Sequence, residues 1–214
     1  MKKIAIMMVT LLMGSPLFAA HPLATDDAAT VPVQGFELEI GYDNCIPELG
    51  ERTRTGCFSL KHGVSERVDI GIAIPYAIEP QLQERFGNAL WGLKFNLLKD
   101  LFAVTVTNEM GGKHYLVNGI LSRSYGRISG HFNAGYQTSG DPDIAGAALY
   151  RLAGVYEFER IDVVGEASHD DGEFIEWLGG LRYKMGKIGF FSLAAGRTWR
   201  GDGDKASFGF HTEF

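Results

Sequence analysis

Beyond about residue 34, apolar and polar positions alternate with a period of two over most of the chain. That is the period of a β-strand whose two faces meet different surroundings. The pattern is plainest at the C-terminus, where Ala206, Phe208, Phe210, Thr212 and Phe214 alternate with Ser207, Gly209, His211 and Glu213. Such a strand fits lipid on its apolar side and a polar interior on the other. Segmenting the chain by this alternation and by its turn residues predicts strands at 35–44, 55–62, 67–76, 88–97, 101–109, 113–123, 127–138, 145–158, 161–168, 173–184, 187–197 and 204–214. The expected fold is all-β: a transmembrane antiparallel up-and-down β-barrel of about 12 strands.

The connections support the same reading. Short links at 63–66, 98–100, 124–126, 159–160 and 185–186 alternate with mostly longer ones at 45–54, 77–87, 139–144, 169–172 and 198–203, the tight Gly111-Gly112 link excepted. Barrels of this type have short periplasmic turns and longer external loops. The aromatics sort into two girdles: Phe36, Phe102, Tyr125, Phe158, Tyr183 and Phe214 toward the periplasmic rim, and Tyr42, Phe58, Tyr76, Trp91, Tyr115, Tyr136, Tyr150 and Trp177 toward the outer half.

The N-terminus reads as an export signal. Lys2 and Lys3 precede an apolar run from Ile4 to Met13, broken by Gly14-Ser15-Pro16 before Ala19-Ala20. Residues 1–20 are therefore expected to be a signal peptide, 21–34 a mature N-terminal segment and 35–214 the barrel. The apolar run is too short to span a bilayer as a helix. Composition agrees, with 28 glycines, 12 % aromatics and a mean hydropathy of −0.02. A net charge of −6 excludes nucleic acid as an expected partner. The C-terminal aromatic strand, with Phe210 and Phe214, resembles the signal that bacterial barrel-assembly machinery reads. The expected location is the bacterial outer membrane, in contact with its lipid and lipopolysaccharide.

The polar face of each strand should line the interior. It carries Glu37, Glu39, Lys61, Asp69, Lys94, Arg127, His131, Arg151, Glu157, Glu166, Glu176 and Arg182. Charges of both signs in a narrow bore must pair or stay hydrated. The segment containing His21, Asp26 and Asp27 could enter that lumen and meet Arg127, Arg151 or Arg182, or it could remain a periplasmic leader. Both alternatives stand at this point.

Candidate chemistry is thin. A hydrolase would need a nucleophile beside a base, and the pairs are Ser129 with His131, Ser168 with His169, and His114 with Glu109. None is accompanied by a nucleophile elbow, so no catalytic residue is assigned and the chain is not expected to be an enzyme. His169, Asp170, Asp171 and Glu173, or Asp141 and Asp143, could bind a hard cation, but they fall in predicted loops beside Gly and Pro. No dedicated metal site and no cofactor are expected. Cys45 and Cys57 flank the first external loop, and in an exported chain the pair predicts a disulfide.

The run His21-Pro22-Leu23-Ala24-Thr25-Asp26-Asp27, followed by Gly35-Phe36-Glu37-Leu38-Glu39, resembles the opening of a family of outer-membrane transporters named for the meta-pathway of phenol degradation. Val68-Asp69-Ile70-Gly71-Ile72-Ala73-Ile74-Pro75-Tyr76 and Gly92-Leu93-Lys94-Phe95 continue the likeness in order. The resemblance implies an outer-membrane barrel that passes small aromatic or apolar molecules. Three functions follow for testing: a passive channel or porter for small solutes, an outer-membrane enzyme acting on lipid, and a plugged structural or interaction barrel.

Overall fold

A computed structural model describes residues 20–47, 51–81, 84–141, 143–170, 173–198 and 203–214. Twelve strands form one closed antiparallel barrel in which each strand pairs with its neighbours in sequence and the first pairs with the last. They are β1 (Phe36–Pro47), β2 (Thr53–Ser65), β3 (Val68–Glu79), β4 (Leu90–Leu98), β5 (Phe102–Glu109), β6 (Tyr115–Tyr125), β7 (Ile128–Gln137), β8 (Ala147–Glu157), β9 (Ile161–Asp170), β10 (Glu173–Lys184), β11 (Phe190–Thr198) and β12 (Gly203–Glu213). The expected segment 1–20 lies, but for Ala20, outside the described residues.

The barrel is inside-out relative to a water-soluble protein. Among its buried residues are Glu39, Lys61, Asp69, Lys94, Arg151, Glu166 and Lys205, while Ile40, Phe58, Leu121, Leu152, Leu181 and Phe208 are exposed. A continuous apolar exterior around a closed sheet is stable in lipid, because closure leaves no backbone edge unpaired. The aromatic rims follow the expected register: Phe36, Tyr125, Phe158, Tyr183 and Phe214 are exposed at one end, and Tyr115, Tyr136, Tyr150 and Trp177 toward the other.

Strand ends depart from the sequence reading where turns are special. Strand β11 begins at Phe190, not 187, because Gly186 (φ 64°) opens a single 3-10 turn and Gly189 (φ 127°) closes it. Beside the longer loops β1 and β3 run further than alternation indicated, to Pro47 and Glu79, while β4 and β8 begin two residues later, at Leu90 and Ala147.

The expected disulfide is corrected by this register. Cys57 lies opposite Gly41, and Cys45 opposite Thr53, so the cysteines are offset by four residues along a rigid hairpin. That is about 13 Å at the rise of a strand, whereas a disulfide spans at most about 7 Å between Cα atoms. Both are free thiols.

Phe214 completes the seam. Its N–H donates to Phe36 O at 2.9 Å, its carbonyl accepts from Phe36 N–H at 2.8 Å, and the two rings stack at 5.8 Å. Removing Phe214 is expected to reduce the heat-modifiable barrel recovered from membrane fractions. Unchanged recovery would show that β1 and β12 close without it.

Candidate functional site

Residues 21–34 run through the lumen, with Pro32, Val33 and Gln34 exposed where the chain passes to β1. This stretch has almost no regular structure of its own, so its backbone donors need acceptors. The barrel wall supplies them from side chains. Asp26 N–H donates to Asn133 Oδ1 at 2.9 Å, and Asn133 Nδ2 returns a bond to Asp26 O at 2.8 Å. Ala28 N–H donates to Ser122 Oγ at 2.9 Å and Val31 N–H to Asp69 Oδ2 at 3.1 Å. One oxygen of Glu166 accepts from Ala24 N–H, Thr25 N–H and the Thr25 hydroxyl at 2.7, 2.5 and 2.6 Å. These wall residues come from β7, β6, β3 and β9, so the segment crosses the bore rather than lying along one side.

Lys94 is the principal charged anchor. Its ammonium donates to Asp26 Oδ1 at 2.9 Å and to the carbonyls of Asp27 and Ala29 at 3.0 Å each, which uses all three protons. Asp27 Oδ1 meanwhile accepts from Ala29 N–H at 2.8 Å, curling the chain around the lysine. Thr25 and Asp26 are as buried as an ordinary core. A buried ion pair of this kind costs desolvation on both sides and holds only because its remaining bonds are made.

Apolar contacts reinforce the polar ones. Leu23 packs in a cluster with inward-facing Ala153, Val155, Val164, Leu178 and Ala194, and Ala28 packs with Ala103 and Ile120. At the far end His21 lies over two glycines that face each other across β1 and β12, Gly41 and Gly209. A Cβ on Gly41 would sit 2.6 Å from the His21 ring, and one on Gly209 2.5 Å from it. The ring lies within hydrogen-bonding reach of Ser207 Oγ at 3.2 Å and Ser192 Oγ at 3.5 Å, and His21 N–H donates to Glu39 Oε2 at 3.0 Å. At the near end Gly63 gives the same kind of access, since a Cβ there would fall 2.1 Å from Pro32 O. Gln34 N–H then donates to Gly63 O as the chain leaves for β1.

Most of the expected interior residues are where alternation placed them. Glu39, Lys61, Asp69, Lys94, Arg151 and Glu166 are buried; Glu37, His131, Glu176 and Arg182 are partly buried. Two are corrected. Arg127 lies in the exposed turn between β6 and β7, because β7 starts one residue later than the sequence suggested. Glu157 lies at the end of β8 and is exposed at the rim.

Charges of both signs pair across the interior, as a narrow bore requires. Lys94 meets Asp26, Lys61 meets Glu37 at 2.6 Å, Lys205 meets Glu176 at 3.0 Å and Lys184 meets Asp162 at 2.7 Å. Of the three arginines named as possible partners of the N-terminal segment, Arg182 donates to the carbonyl of Ala20, the residue just before that segment, at 2.6 Å. Sequence reasoning passed over Lys205, whose place on the inward face of β12 was readable from its spacing to Ser207 and His211.

The candidate serine–histidine pairs do not assemble. His131 faces Ser122 at 2.9 Å rather than Ser129, and Ser129 faces Ser124 at 2.8 Å. His114 and Glu109 stand 3.9 Å apart, and His114 Nδ1 is within reach of Thr138 O. His169 approaches Tyr150, one residue along from Ser168 and therefore on the opposite face. Among the described residues the metal-type donors converge at Glu37, Glu39 and His211; of the loop carboxylates singled out from sequence, Asp171 and the Glu173 side chain lie outside the described residues.

No family model matches the chain, and no curated protein matches it significantly. Solved structures do. The KdgM porin superposes with a TM-score of 0.59 at 11% identity, over 82% of this chain and 99% of that one. An outer-membrane channel from Pseudomonas putida F1 gives 0.57 at 11% identity, over 88% and 98%. The Acinetobacter baumannii outer membrane protein Omp33 gives 0.54 at 10% identity, over 86% and 100%. At such identities the likeness is one of fold: this chain has the fold of a bacterial outer-membrane barrel.

Proposed function

We propose that this chain is a non-enzymatic outer-membrane channel for passive movement of small, apolar or aromatic molecules, with residues 21–34 as its internal plug. The observation that carries the reading is the Leu23 socket. Val155, Val164 and Leu178, with Ala153 and Ala194, form an apolar patch on the inner wall of an otherwise polar lumen. Apolar side chains facing an aqueous bore would gain nothing by hydration; covered by Leu23 or by an apolar solute, they gain the usual hydrophobic stabilisation. Hydrogen bonds, an ion pair and apolar packing hold the plug to the wall, so it can leave while every strand stays paired. In this reading the run that resembles the phenol-pathway transporters, His21 to Asp27, is the plug itself.

The remaining contacts of the molecule fit the same proposal. The apolar belt meets outer-membrane lipid, the external loops meet lipopolysaccharide, and Phe210 and Phe214 present the terminal strand to the barrel-assembly machinery.

A planar bilayer decides the matter. The full chain is expected to show small or infrequent conductance steps, and a variant lacking residues 23–31 larger and steadier ones. The density of anchors favours one rival, a permanently plugged structural barrel. Absence of conductance in both forms, under conditions where a known porin conducts, would establish that rival. Hydrolysis of phospholipid by the same preparation would point to the enzyme.

A further inference from the structure

Near the start of β1 the inner wall carries Glu37 and Glu39, two residues apart on one face, with His211 of β12 directly opposite Glu39. Their ligand atoms all lie within 4.8 Å of one another. His211 Nδ1 is 3.9 Å from Glu37 Oε1 and 3.9 Å from Glu39 Oε2, and the three side chains are 12%, 10% and 8% exposed. Nδ1 has no hydrogen-bond partner although it is buried.

The other side of the ring explains which atom faces the carboxylates. His211 Nε2 lies 3.4 Å from Glu213 Oε1, and the ring stacks on Phe190 at 4.6 Å with only 10° between planes. With Nε2 turned to Glu213, Nδ1 is the ring nitrogen that faces Glu37 and Glu39. Glu213 stands directly opposite Glu37 in the register. The ammonium in contact with this group is that of Lys61, which holds Glu37 Oε1 at 2.6 Å. Glu37 and Glu39 are the two buried carboxylates beside the ring, Glu213 being more than half exposed.

We propose that Glu37, Glu39 and His211 bind a divalent transition-metal ion of the zinc type, with Glu213 orienting the imidazole. One His and two carboxylates are a common donor set for such ions, and a carboxylate on the distal ring nitrogen is the usual supporting partner of a metal-bound histidine. Donors about 2.0–2.1 Å from a tetrahedral centre stand about 3.3 Å apart. The two His211–carboxylate separations of 3.9 Å need to close by about half an ångström, and the two carboxylates, within 4.8 Å of each other, by up to about 1.5 Å. The stiff β1–β12 ladder sets the spacing of all three backbones, so closure needs side-chain movement alone. The same oxygens already serve other donors, Glu37 Oε1 the Lys61 ammonium and Glu39 Oε2 the His21 N–H, so each carboxylate would share that oxygen or turn to present its other one.

The test uses the full chain in detergent, stripped with a chelator and titrated with Zn2+ alone, then with Co2+ for its visible absorption. One ion per barrel is expected, at micromolar affinity or tighter. His211→Ala should weaken binding by a hundred-fold or more and remove the cobalt bands, and Glu213→Gln by about ten- to a hundred-fold. Glu39→Gln, which keeps shape and volume, covers the case in which His211→Ala fails to fold; heat modifiability checks each variant. No bound ion would overturn the proposal and leave His211 as an imidazolium bridging the carboxylates. Binding that His211→Ala and Glu39→Gln leave unchanged would overturn it equally, by placing the ion on loop carboxylates.

Discussion

Replacing Lys94 by Ala is expected to release residues 21–34 from the barrel. The substitution removes three donors at once and leaves the Asp26 carboxylate, with the carbonyls of Asp27 and Ala29, buried beside an apolar stub. Breaking one side of a buried pair costs about 3–5 kcal/mol, most of it the desolvation of the partner left behind. The barrel need not absorb that cost by unfolding. The segment can carry Asp26 back to water, so the loss should appear as a shift of the docked–released balance by roughly a hundred-fold or more. Single-channel conductance should rise toward that of the variant lacking residues 23–31, and protease should cleave the segment while the barrel resists. Lys94→Ala combined with Asp26→Ala should lie closer to the native protein than Lys94→Ala alone, because the stranded charge is gone. Native conductance and native protease resistance in Lys94→Ala would show that the neutral anchors suffice.

The same anchors mark the boundary of what the sequence disclosed. Strands were legible because each has lipid on one side and the lumen on the other, which writes a period of two directly into the residues from Phe36 to Phe214. Thus Glu39, Lys94, Arg151 and Glu166 were placed inside from alternation alone. Arg127 and Glu157 failed because they sit at strand ends, where a shift of one residue decides between wall and turn. Cys45 and Cys57 failed because flanking a loop says nothing about cross-strand offset.

The N-terminal segment was illegible for a different reason. It has no repeating pattern, and its partners Asp69, Lys94, Ser122, Asn133 and Glu166 are distributed over the chain, meeting only once the barrel closes. Polar residues on an inner face carry the same signature whether they face water or hydrogen-bond a threaded backbone. The Glu37–Glu39–His211 group was hidden likewise, since the closure of β12 on β1 joins the two ends of the sequence. Paired glycines were the one available hint: Gly41 and Gly209 interrupt two otherwise inward-facing polar faces.

Those glycines give the second large effect. Gly41→Val is expected to evict His21, because the new Cβ would lie 2.6 Å from the ring and the valine methyls would extend further into its place. Valine suits a strand better than glycine, so β1 itself should not suffer, and the penalty falls on the docked segment. Overpacking typically costs about 1–3 kcal/mol, here joined by loss of the His21 contacts to Ser207 and Glu39. Conductance and cleavage of the N-terminal segment should both increase, with the barrel still heat-modifiable. Pairing Gly41→Val with His21→Ala separates cause from coincidence: the smaller residue makes room for the valine, so docking should recover in part, though His21→Ala alone weakens it. If Gly41→Val changes neither readout, or if His21→Ala worsens it, the niche between β1 and β12 does not hold the plug.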